Sequence, residues 1–162
     1  MKAERVVCDT NVLISAALVP DGKPAAVVRL AAMQGSLLLS AEILHEVASR
    51  IKRSKFDRYL DDQDREEFLQ FLQWASEKIE IQGATLGVRD PHDDKILETA
   101  LVGNADCLIT GDGDLLALRP IGEHAAAQRL EDTRFRSIAI LRPAEFLLLV
   151  DLGDDPTGGV AT

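Results

Sequence analysis

The chain reads as an α/β fold, a central and mostly parallel sheet with helices on both faces, three layers in all. Three observations predict it. Short aliphatic runs such as Val6-Val7-Cys8 and Cys107-Leu108-Ile109 lack the alternation of a half-exposed strand, as strands covered on both faces do. Longer segments with helical spacing lie between such runs, and that alternation builds parallel crossover units. Apolar residues make up 46% of the 162 residues but aromatics only 4%, so the core is mostly Leu, Ile, Val and Ala.

The elements follow in order. Arg5 to Cys8 forms a buried first strand that ends at Asp9. Lys23 to Gln34 is helical, closed by Gly35, and Ser36 to Leu39 is the second strand. Ser40 supplies an N-cap for a helix from Ala41 to about Ile51, since its hydroxyl can accept an otherwise unsatisfied N–H of the first turn. Gln63 to Ser76 is the next helix, followed by a short strand near Ile79-Glu80-Ile81. Pro91 precedes a helix from about Asp93 to Val102, and Cys107 to Ile109 is again a strand. Ser137 to Leu141 is the last strand, before a helix from Pro143 to Val150. Arg119 to Arg136 carries no clear pattern beyond an Ala-rich run that fits a short helix on a long loop. Without repeat or linker, one domain spans 1–152, and residues 153–162 have the composition of a disordered tail.

Composition excludes several classes. No run reaches the ~18 apolar residues of a membrane span. The apolar stretch after Arg5 is too short for a signal peptide. Cys8 and Cys107 sit inside apolar runs as reduced core thiols, which points to the cytoplasm. The net charge of -9 argues against adhesion of the whole surface to nucleic acid, because phosphates attract basic proteins. An acidic pocket bordered by a local basic patch remains compatible with it.

The placement of the acids is the informative part. Ligands collect at the carboxyl ends of strands in open α/β sheets. Asp9 lies at one such end and Asp112 just beyond another; alone, either would read as a turn or N-cap aspartate. Asp93 is sharper. Ile96, Leu97, Ala100 and Leu101 form one apolar helix face, and Asp93 projects near its centre. A carboxylate aimed at the core is costly unless a cation or a helix N-terminus neutralises it. Asp94 projects about a quarter turn away, nearer to solvent. Glu46 flanks the apolar face of Ile43, Leu44, Val47 and Ile51 and can reach a groove; Glu42, one turn earlier, is its weaker rival.

Converging carboxylates repel one another, so such a cluster makes sense around a hard cation. Mg2+ or Mn2+ fits, held by few carboxylates and keeping waters that a phosphate can displace. His45, His92 and His124 lack zinc spacing. Such a cation could activate water and stabilise a leaving oxygen, which makes phosphodiester hydrolysis the natural chemistry.

Taken together, the segments Val7 to Ser15, Leu39 to Val47, Asp90 to Lys95 and Ala105 to Leu116 resemble the PIN-domain family, in particular its VapC-like bacterial toxin ribonucleases. Pro143-Ala144-Glu145-Phe146 resembles the closing segment of that subgroup. The likeness spans roughly residues 4 to 150, and motifs that are weak singly are specific in this order. It implies a PIN-like sandwich and a metal site of Asp9, Glu46, Asp93 and Asp112, with Asp94 and Asp114 as neighbours that bind or polarise. It further implies that Thr10 and Asn11 orient the site and that Thr110 supports Asp112. A homodimer and an antitoxin occluding the site come with the toxin branch. The segment from Gly122 to Arg136 is longer than the usual link to the last strand.

Arg50, Lys52, Arg53, Lys55 and Arg58 follow the Glu46 helix. They read either as a solvated helix end or as a phosphate track, in which Lys52, Arg53 and Lys55 contact single-stranded RNA. A haloacid-dehalogenase phosphatase would need a second aspartate where Asn11 stands. A receiver domain would leave Asp112 unexplained. The stronger rival is a PIN-fold module that binds RNA or protein without cleaving, a variant that usually loses part of the acidic set.

Overall fold

A computed structural model describes residues 5–34, 36–119 and 138–153. Its sheet comprises β1 (Val6–Cys8), β2 (Leu37–Ser40), β3 (Glu77–Ile79), β4 (Cys107–Ile109) and β5 (Ala139–Leu141) in the order β3-β2-β1-β4-β5. Every pairing is parallel, so the expected sheet is present and wholly parallel among the described residues. The helices are α1 (Thr10–Leu18), α2 (Lys23–Met33), α3 (Ala41–Ile51), α4 (Asp62–Ala75), α5 (Asp94–Val102), the single turn α6 (Gly113–Leu116) and α7 (Pro143–Gly153).

The chain steps outward from β1 to β3, then crosses back to place β4 on the other side of β1. With right-handed crossovers, reversing direction puts the connecting helices on opposite faces of the sheet. Strands covered on both faces need apolar side chains throughout, and β1, β2 and β4 are buried along their whole lengths. The reversal also opens a crevice at the carboxyl ends of β1 and β4, where such folds bind ligands.

Of the apolar faces read from sequence, Ile43, Val47 and Ile51 on α3 and Ile96, Leu97, Ala100 and Leu101 on α5 are buried, and Leu44 on α3 is half-buried. Ser40 caps α3 through a hydrogen bond from the Ile43 N–H. Cys8 and Cys107 are buried thiols with no disulfide between them. Burial pushes the Cys8 thiol up to about 12 and Cys107 up to about 11, so both stay protonated and inert.

Several elements differ from expectation. α1 has no counterpart in the sequence reading, because Thr10, Val12, Leu13, Ile14 and Ala16 are all buried and leave no polar face to mark a helical period. β3 lies two residues earlier than expected; Glu77 and Lys78 are exposed there and only Ile79 is buried, so this edge strand carries no readable pattern. A 3₁₀ turn, Pro91–Asp93, precedes α5, which begins at Asp94. α7 runs on to Gly153. Most of the expected tail and the segment from Gly122 to Arg136 lie outside the described residues. No described helix is long and apolar enough to cross a membrane.

Candidate active site

Register places the first two acids. Cys8 pairs with Ile109 in the parallel ladder, so the residues that follow, Asp9 and Thr110, leave the sheet side by side. The Asp9 N–H donates to the Ile109 carbonyl at 2.9 Å, and the Thr110 hydroxyl donates to Asp9 Oδ2 at 2.9 Å. Thr110 Oγ1 in turn accepts the Asp112 N–H at 3.0 Å. One buried hydroxyl therefore links the ends of both strands. Asp112 caps α6 by accepting the Asp114 N–H at 2.9 Å.

Asp9 is 5% exposed. Burial holds its carboxyl above the usual range, with the charges of Asp112 and Glu46 adding to the rise and the Thr110 hydrogen bond opposing it. Asp93, 6% exposed, ends the 3₁₀ turn before α5. Its Oδ2 is buried and has no hydrogen-bond partner among the described residues. Burial first, then the charges of Asp112, Asp9, Asp90 and Asp114, push its pKa up to about 7. Oxygens of Asp93, Asp112 and Asp114 all lie within 4.8 Å of one another.

Glu46 reaches the same place from α3, but in cationic company. Lys95 Nζ lies 2.7 Å from its Oε2 and Arg50 lies 3.6 Å from its Oε1. The Thr10 hydroxyl donates to it at 3.2 Å, while Arg50 also donates to Asn11 Oδ1 at 2.6 Å. The spacing of Lys95 from Glu46 in sequence hid this pair. Only the crossing of α3 and α5 brings them together.

Asp9, Thr10, Asn11, Glu46, Asp93 and Asp112 thus line one cleft of about 370 Å³, together with Arg50, Arg53, Asp90, His92 and Ile96. Asp94 is turned away, accepting the Leu86 N–H at 3.2 Å. Asp114 stands at the edge, 3.5 Å from the exposed Arg89. Of the basic stretch, Arg50 and Arg53 border the cleft; Lys52 and Lys55 do not.

A family model for the PIN domain matches residues 5–114, from the start of β1 through Asp114. The chain belongs to the PIN-domain family. It is 34% identical over 119 residues to an uncharacterized protein of Methanocaldococcus jannaschii, covering 71% of this chain and 75% of that protein. No solved structure matches the chain significantly. PIN domains are generally nucleases that bind divalent metals and act on RNA, and at the acidic cleft of this chain Asp93, Asp112 and Asp114 form a group that could hold an ion.

Proposed function

We propose that this PIN domain is an Mg2+- or Mn2+-dependent endoribonuclease whose active site consists of Asp9, Glu46, Asp93 and Asp112. The single observation that carries the reading is Asp93 Oδ2, buried without a hydrogen-bond partner among the described residues and beside oxygens of Asp112 and Asp114. An orphaned buried carboxylate oxygen among other carboxylates is costly to fold, and a divalent cation offsets that cost. Asp93, Asp112 and Asp114 would hold it, with Asp9 able to contribute. When bound, it would activate water and neutralise charge on the phosphate.

The chain's own residues do the rest. Thr110 orients Asp9. Glu46 holds Lys95 and Arg50 at the rim, where cations can attract the phosphate that the acids repel. Arg53, at the same rim, adds to this attraction. In its physiological setting we read the protein as a cytoplasmic, homodimeric toxin restrained by a cognate antitoxin, a reading supported by the motif resemblance.

Cleavage of a mixed-sequence RNA, followed with Mg2+, with Mn2+ and with EDTA, tests the activity. Expected is metal-dependent cleavage that Asp93→Asn lowers by at least about a hundredfold, the scale of losing one oriented electrostatic group. Intact RNA under every condition, with binding retained, would mark a non-cleaving PIN module instead.

A further inference from the structure

A second and larger hollow, of about 930 Å³, adjoins the acidic cleft and shares Glu46, Arg50, Arg53 and His92 with it. One side is α3 with His45; the other is the segment after β3, with Ile81 and Ala84. That segment is held in place from α5. Glu98, a carboxylate only 5% exposed, accepts the N–H groups of Gln82, Gly83 and Ala84 at distances of 2.8 to 3.1 Å. One turn earlier on the same helix, Asp94 accepts the Leu86 N–H. Gly83 has φ +83, a conformation that turns successive N–H groups toward one acceptor and that side chains with a Cβ resist. The groove wall is therefore tied to the helix that directly follows Asp93.

The charges of the groove are unevenly matched. Glu46 is paired with Lys95 and Arg50, and Asp94 is engaged by backbone. Arg53, which lines both cleft and groove, forms no ion pair among the described residues; neither does the exposed Glu42, which lines the groove but not the cleft, so the unpaired cation lies at the junction and the unpaired acid away from it. A polyanion whose reacting phosphate sits in the cleft meets this cation on its way out, beside an apolar wall that suits bases.

We propose that the groove binds the single-stranded nucleotides flanking the scissile bond on one side. Arg53 contacts a backbone phosphate at the junction, His45, Ile81 and Ala84 pack against bases, and Glu98 is a positioning residue that sets the wall. The proposal rests on the nuclease reading, naming its substrate path.

Fluorescence anisotropy on an Asp9→Asn background, which keeps the three aspartates that would hold the ion, compares a labelled RNA dinucleotide with a longer single strand in Mg2+ and in EDTA. The longer strand is expected to bind more tightly. Arg53→Ala should reduce that gain about tenfold and flatten the slope of log affinity against log salt by about 0.7, one single-strand phosphate contact. The exposed His45→Ala, which spares the fold, should reduce the gain without changing the slope. Glu98→Gln should do the same while leaving dinucleotide binding in place, which general unfolding would not. A length-dependent gain untouched by Arg53→Ala and His45→Ala would overturn the proposal and leave the groove to a peptide segment. Arg53-dependent binding of the long strand by a chain that cleaves nothing would overturn the nuclease reading but sustain the groove.

Discussion

At the scale of single residues, Asp93 carries the most consequence. Its folded pKa of about 7 lies above the ~3.9 of an unfolded aspartate. Between those values the native state binds more protons than the unfolded chain, so stability falls as pH rises through the window and stays low above it. Asp93→Asn removes that charge. In EDTA the variant should exceed the parent by about 4 kcal/mol near pH 8, with the difference nearly gone near pH 4. Urea denaturation at both pH values measures it, and an equal difference at both would mean that charge is not the cause. The position of Asp93 was legible because an acid on an apolar helix face stands out. Asp9 and Asp112 were legible as strand-end acids. Glu98 was not, although it is as buried as Asp9. Its partners are backbone N–H groups of a distant segment, which leave no mark in side-chain pattern. Lys95 was hidden for a related reason, since its pairing with Glu46 exists only once α3 and α5 have packed.

At the scale of elements, the site depends on two strands ending together. Thr110 makes that junction by donating to Asp9 and accepting from the Asp112 N–H. Thr110→Val keeps the volume but strips Asp9 of a donor and the Asp112 N–H of its acceptor. A buried group left without its partner costs about 1 to 3 kcal/mol, so the variant should lose stability in that range, and Thr110→Ser should recover most of it. Denaturant titration of the pair decides the matter; equal losses in both would assign the effect to packing of the methyl group. α3, buried along one face, could be read from sequence because burial imposes a period on it, and α5 could be read because its apolar residues recur at helical spacing although Glu98 and Thr99 are buried as well. α1 could not, since its burial is nearly all-round. β3 was misplaced because an exposed edge strand needs no apolar alternation.

At the scale of the whole molecule, the net charge of -9 offers a rival account of any response to metal. Divalent ions screen a generally acidic surface, and so does common salt. Two contrasts separate general screening from a site. The first is ionic strength: in NaCl matched to millimolar MgCl2, screening alone should reproduce the whole effect, whereas a site should leave Mg2+ with an excess stabilisation. Binding to the native state alone gives about 2.7 kcal/mol when the ion is at a hundred times its dissociation constant. The second contrast is pH. Ligand carboxylates must be ionised to hold a metal, and Asp93 gives up its proton only near pH 7, its pKa being raised to about 7. The Mg2+ excess should therefore grow from about pH 6 to about pH 8, opposite in sign to the metal-free trend of the same residue. Asp93→Asn should lose both the excess and its pH dependence while keeping the response to NaCl. Thermal melting of parent and variant across these conditions makes the measurement. An Mg2+ effect that NaCl reproduces, or that is flat in pH, would leave the acids of the cleft as surface charge and remove the metal from the proposed chemistry.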